Sequence, residues 1–213
     1  MTIRATLLLF CLTTAGFGQN LSAHNLRPVI GNPQEGKVRM MPAEGVEYRL
    51  LATNKTSTMQ KEMNETAAAG FRFGGVMGGE TSFGGSEAVV VMTKLPDQRD
   101  ASRFRYKLLA TSKTSTMQKE LQAAADEGFE YRGQTVFNSA FGGEEVVCIL
   151  ERDLDSKSHP SEYKLVATSK TSTLEKELRE AGAGGFEVLG MTVGKTALGG
   201  HELIAIARRT KGE

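Results

Sequence analysis

Tyr48-Arg-Leu-Leu-Ala-Thr-Asn-Lys-Thr-Ser-Thr-Met-Gln-Lys-Glu62 decides the fold because the chain writes it three times. It returns from Tyr106, and again from Tyr163 as Tyr-Lys-Leu-Val-Ala-Thr-Ser-Lys-Thr-Ser-Thr-Leu-Glu-Lys-Glu177. The starts are 58 and 57 residues apart, from 48 to 106 and from 106 to 163, and the copies align without a gap to Gly84-Gly85, Gly142-Gly143 and Gly199-Gly200. A fixed period of this kind outranks every local signal, and any site must be repeated, lie between repeats, or lie outside them.

Each copy opens with an expected strand, Tyr48 to Thr53, Tyr106 to Thr111 and Tyr163 to Thr168, in which apolar residues alternate with Arg or Lys. One buried face follows from that alternation. A helix comes next. Ser57-x-x-Gln60, Ser115-x-x-Gln118 and Ser172-x-x-Glu175 fit a capping box, with the serine oxygen taking a helix N–H and the later side chain reaching back. Met59 and Met63, Met117 and Leu121, and Leu174 and Leu178 are four apart, an apolar stripe on one face. Gly70, Gly128 and Gly185 end the helices at the position just past the cap, where a left-handed backbone is wanted.

A second strand, clearest at Phe186 to Val193, leads through a Gly-Gly turn to a third: Ala88 to Met92, Val146 to Leu150 and Leu203 to Ala207. The third strands are apolar on both faces, so something besides one helix must cover them. The expected fold class is α+β, three tandem β-α-β-β repeats with their sheets packed together and the helices outside. Each unit is small enough that a core of its own is marginal, which favours units that pack on one another.

The strand opening Tyr-Lys-Leu-Val, the helix with Leu-Glu-Lys-Glu-Leu, the Gly-aromatic-Glu step (Gly128-Phe-Glu130, Gly185-Phe-Glu187) and a last apolar strand ending in Arg (Arg152, Arg208) resemble a small bacterial domain of unknown function, catalogued as number 4177. The resemblance runs from residue 47 to 209 in three copies, with Phe where that family has Trp. It implies the fold and brings no catalytic residue with it.

Composition bounds the rest. The chain has 213 residues, 39% apolar and 24% charged, which is a globular balance. Residues 1–18 read as a secretory signal, with Arg4, the apolar run Leu7 to Leu12, and small residues to Gly18. Residues 19–45, with Pro28, Pro33 and Pro42, read as a flexible lead, and the repeats occupy 46–94, 104–152 and 162–209. The expected address is therefore outside the cytoplasm, periplasmic or extracellular, with no transmembrane segment left after cleavage. With 26 basic and 25 acidic residues, nothing in the overall charge seeks nucleic acid. Cys148 lies in an apolar strand and reads as buried and inert.

The most uniform polar segment is the loop before each helix. Lys55, Thr56 and Ser57, with Lys113, Thr114 and Ser115 and with Lys170, Thr171 and Ser172, are candidate anion-binding residues, since hydroxyls, a lysine and open helix N–H groups suit phosphate or carboxylate. The competing reading is a capped helix start beside a solvated lysine. Glu87, Glu145 and Glu202 would form a cation site only if the repeats surrounded a threefold axis. His24, His159 and His201 fall at unrelated repeat positions. No motif calls for a cofactor or a resident metal, and no catalytic set is present. The sequence thus favours an exported, non-enzymatic binding or assembly module whose partner is a protein or a small anion. A self-associating envelope protein, and an enzyme acting on an anion at the Lys-Thr-Ser-Thr loops, are the alternatives.

Overall fold

Alternating strands and one amphipathic helix per copy give the unit three times over. The computed structural model describes residues 45–80, 86–96, 101–139, 143–157, 159–195 and 200–211. The first repeat is β1 (Glu47–Thr53), α1 (Thr56–Ala68), β2 (Arg72–Glu80) and β3 (Ser86–Lys94). The second is β4 (Phe104–Thr111), α2 (Thr114–Asp126), β5 (Glu130–Ser139) and β6 (Gly143–Asp153), and the third is β7 (Ser161–Thr168), α3 (Thr171–Ala183), β8 (Glu187–Lys195) and β9 (His201–Thr210). Every repeat forms a three-stranded antiparallel sheet with its last strand in the middle, in the orders β1-β3-β2, β4-β6-β5 and β7-β9-β8. The expected α+β class and β-α-β-β unit are what the chain adopts. The proposed signal and most of the lead, with the Gly-Gly turns at Gly84-Gly85, Gly142 and Gly199, lie outside the described residues.

The helix ends follow the sequence reading. Gly70, Gly128 and Gly185 have φ of 91°, 85° and 80°. In each repeat the glycine N–H and the following Phe N–H bond back into the last turn, Gly128 to the Ala125 carbonyl and Phe129 to the Ala124 carbonyl, both at 2.9 Å. The helix starts differ from it. Lys55, Lys113 and Lys170 hold the N-cap positions with no side-chain cap bond, and the capping boxes do not form. The serines sit two residues past the N-cap, inside the first turn, and Gln60 and Gln118 bond elsewhere.

The cover over the second sheet face also differs. The sheets do pack on one another along β2 with β5 and β5 with β8, but α1 and α2 are not simply outside: each packs on the first strand of the next repeat as well as on its own sheet. Met59, Met63 and Ala67 of α1 share one core with Leu51, Val90 and Met92 of the first sheet and with Tyr106, Val147 and Ile149 of the second. Met117 and Leu121 of α2 do the same between Cys148 and Leu150 on one side and Tyr163, Ile204 and Ile206 on the other. A repeat therefore completes its core with its neighbour, the nearest-neighbour logic of a short solenoid. β2 and β5 cross so closely that a Cβ on Gly78 would stand 2.2 Å from the Val136 carbonyl oxygen.

Candidate functional site

Three repeated devices join one repeat to the next. The first protects the edge strand. In the α1 to β4 joint, Asn64 accepts the Tyr106 N–H at 2.9 Å and donates to the Tyr106 carbonyl at 3.0 Å, and Gln60 accepts the Leu108 N–H at 2.9 Å. In the α2 to β7 joint, Gln118 accepts the Leu165 N–H at 2.6 Å and donates to the Tyr163 carbonyl at 2.8 Å, while Gln122 accepts the Tyr163 N–H at 3.1 Å. A side-chain amide both donates and accepts, so it can satisfy an edge strand that would otherwise recruit another strand.

The second device is a tyrosine plug. β2 and β5 each carry an irregularity, between Phe73 and Gly75 and between Tyr131 and Gly133, that turns a backbone N–H out of the ladder. The Tyr106 hydroxyl accepts the Phe73 N–H at 2.8 Å, and the Tyr163 hydroxyl accepts the Tyr131 N–H at 2.8 Å.

A charged clamp beside the plug is the third. Glu151, whose side chain is 1% exposed, receives Arg72 Nη2 at 2.7 Å, Arg132 Nε at 2.9 Å and the Tyr106 hydroxyl at 2.9 Å. Arg72 also lies over the Phe104 ring, 4.1 Å from its centre. Burial pushes the Glu151 carboxyl up, but the Arg72 hydrogen bonds, the Arg132 charge and the Tyr106 hydroxyl together outweigh it and hold the group below its ordinary range. The same burial, with the Glu151 charge beside it, raises Tyr106. Glu151 is thus a fixed anion and Tyr106 a protonated donor. Cys148 is pushed up to about 12 by burial, so its thiol stays protonated.

The polar loops singled out in the sequence are not brought together. Lys55, Thr56 and Ser57 line a hollow with Phe137 and Glu145, and Lys113 and Thr114 line another with Lys195 and Glu202. Lys170, Thr171 and Ser172 open α3, which packs on β7, β8 and β9 of its own repeat. The first loop thus shares its hollow with a carboxylate from the next repeat, and the second with a carboxylate and a lysine from the next repeat. Glu145 and Glu202 belong to different joints, and no group of three His, Cys, Asp or Glu side chains able to hold a metal occurs among the described residues.

Sequence reasoning missed the clamp, because Arg72 and Glu151, which carry it from one repeat to the next, are 79 residues apart. The signal was in the differences between copies: Arg72, Glu130 and Glu187 align, as do Thr93, Glu151 and Arg208. Comparison of the chain with family models, with curated proteins and with solved structures finds no match, so the site is read from its own geometry.

At the start of the series the three devices are half made. Tyr48 and Leu50 are 68% and 70% exposed, whereas Tyr106 and Tyr163 are 3% exposed. Leu50 lines an uncharged groove across the first sheet with Val76, Met77, Val89 and Val91. No helix of the described residues is long and apolar enough to cross a membrane.

Proposed function

We propose that the chain is an exported, non-enzymatic binding or assembly module, built from three copies of the small bacterial domain it resembles, and that it works through the open face of its first sheet. The observation behind this reading is that Tyr48, Leu50, Val89 and Val91 repeat a surface that the chain covers at both of its other occurrences. An exposed apolar patch beside an unprotected edge strand is a place where another polypeptide docks. The groups with perturbed acidity have moved away from neutral pH, toward anchoring rather than proton transfer.

The test is site-specific photo-crosslinking in cells. A photoreactive residue at Leu50 should give an adduct of defined mass, while one at Lys61, on the solvated side of α1, should not. Equal behaviour at the two positions would remove the reading.

A further inference from the structure

We propose that copies of the chain join head to tail: the open face of the first sheet on one copy receives the third repeat of another, in the manner in which consecutive repeats join within the chain. This rests on the binding reading above and names its partner. The large exposed apolar side chains of the described residues fall mainly at the two ends of the series. Tyr48, Leu50 and Met77 mark the head, and Val188, Met191 and Val193, at 47%, 55% and 51% exposure, mark β8 at the tail. Inside the chain the same two surfaces meet. Phe73 and Val76 of β2, at the positions of Val188 and Met191, pack into the core shared with the second repeat.

The plug is split between the ends. β8 carries the same irregularity, between Val188 and Gly190, so the Val188 N–H stands where Phe73 and Tyr131 present theirs. Tyr48 stands where Tyr106 and Tyr163 supply the hydroxyl, and makes no hydrogen bond among the described residues. The charges allow the contact too. Thr93 holds the place of Glu151 and Arg208, so Glu187 at the tail meets no like charge at the head.

One device is altered. Glu175 and Arg179 replace the amide pair on α3 and bridge to each other at 2.6 Å on the exposed face. Glu175 can accept the Leu50 N–H as Gln60 accepts that of Leu108, and Arg179 can donate to the Tyr48 carbonyl as Asn64 donates to that of Tyr106. Neither can do both, because a carboxylate only accepts and a guanidinium only donates. The joint between chains is therefore weaker than those within the chain and forms reversibly with concentration. A heterologous contact of this kind gives open rows, or rings where the rotation closes, rather than two-fold dimers.

Sedimentation velocity on the purified protein over a wide concentration range tests this. Wild type should grow from monomer through dimer to longer rows. Leu50→Asp destroys the head and Met191→Asp the tail, and both positions are exposed enough that circular dichroism melts should stay near wild type. Either variant alone should remain monomeric, and an equimolar mixture should stop at the dimer, one intact head on one intact tail. A wild type that stays monomeric throughout overturns the proposal. So does a Met191→Asp variant that associates like wild type, which would mean first sheet against first sheet. A monomer that still gives a Leu50 adduct with a different protein, or with residues 1–44 of its own chain, removes head-to-tail joining and leaves the open face as a docking site.

Discussion

Glu151 and Arg208 hold the same place in consecutive repeats and carry opposite charge, and each is met by its opposite from the repeat before. Arg72 reaches Glu151 at 2.7 Å, and Glu130 reaches Arg208 at 3.6 Å. A joint with its polarity reversed at the second interface makes the repeats non-interchangeable: Arg72 would meet Arg208 if the first repeat docked on the third, and Glu187 would meet Glu151 if the third docked on the second. Order is thus written by charge on a surface whose apolar part is nearly the same each time.

The reversal can be copied. Glu151→Arg alone sets three guanidinium groups together and should cost about 4 kcal/mol, in the range for breaking a buried pair. Adding Arg72→Glu and Arg132→Leu recreates the second interface, where Glu130 faces Arg208 and Leu189 stands at the place of Arg132. Chemical denaturation should show the triple variant recovering much of the loss. A triple variant no more stable than the single one would mean that the charges do not pair in the way described.

Acid should act through the same carboxylate. The folded-state pKa of Glu151 lies below its ordinary value of 4.5, so the unfolded chain binds the proton more readily and stability rises with pH in that region. The contribution is complete above about pH 4.5 and is lost as pH falls through the lower folded value. In Glu151→Gln the denaturation midpoint should be lower at neutral pH and should fall less steeply below pH 4.5 than in wild type. Parallel pH profiles would contradict this.

Gly78→Ala and Gly79→Ala separate a crossing from a strand. A methyl on Gly78 meets the Val136 carbonyl and Thr135, while one on Gly79 meets nothing within 4 Å. The first should lose about 1 to 3 kcal/mol by overpacking the β2 and β5 contact, and the second should be close to neutral. Thermal melts decide between them.

Gln134 is a fault in the joint between β5 and its neighbours. Both polar atoms of its side chain are buried without a hydrogen-bond partner among the described residues, and Val76 and Met191 hold the same place in the other copies. Gln134→Met should raise stability by about 1 kcal/mol, since a buried amide without partners carries a desolvation cost that an apolar side chain does not. A fall in the melting temperature would show that the amide is satisfied after all.

Replacing Lys55, Lys113 and Lys170 together with Gln should leave the melting temperature nearly unchanged, because exposed lysines at helix starts contribute little. Calorimetric titration with phosphate, sulfate or acidic sugars at low salt should give no heat with either protein. Heat in wild type that the triple variant abolishes would establish the anion site.

What the sequence showed depended on how local each cause is. The strands, the Met59 and Met63 stripe and the left-handed Gly70, Gly128 and Gly185 are set by residues within a turn or a pleat of one another, and all were legible. Gln60 and Gln118 were read as caps because a local pattern was the only partner in view, while their actual partners, Leu108 and Leu165, lie 48 and 47 residues on. Double apolar faces on the third strands showed that a second cover exists. They did not show that α1 and α2 would supply part of it, since that depends on how one repeat rises on the next.

Residue-resolved amide hydrogen exchange bears most directly on the account. The N–H groups of Tyr106 and Leu108 are held by Asn64 and Gln60, so both should exchange slowly in dilute solution. The matching groups of Tyr48 and Leu50 on β1 should exchange fast when the protein is dilute and become protected as its concentration rises. Leu50 as slow as Leu108 at every concentration would contradict the open first face on which the proposed function stands.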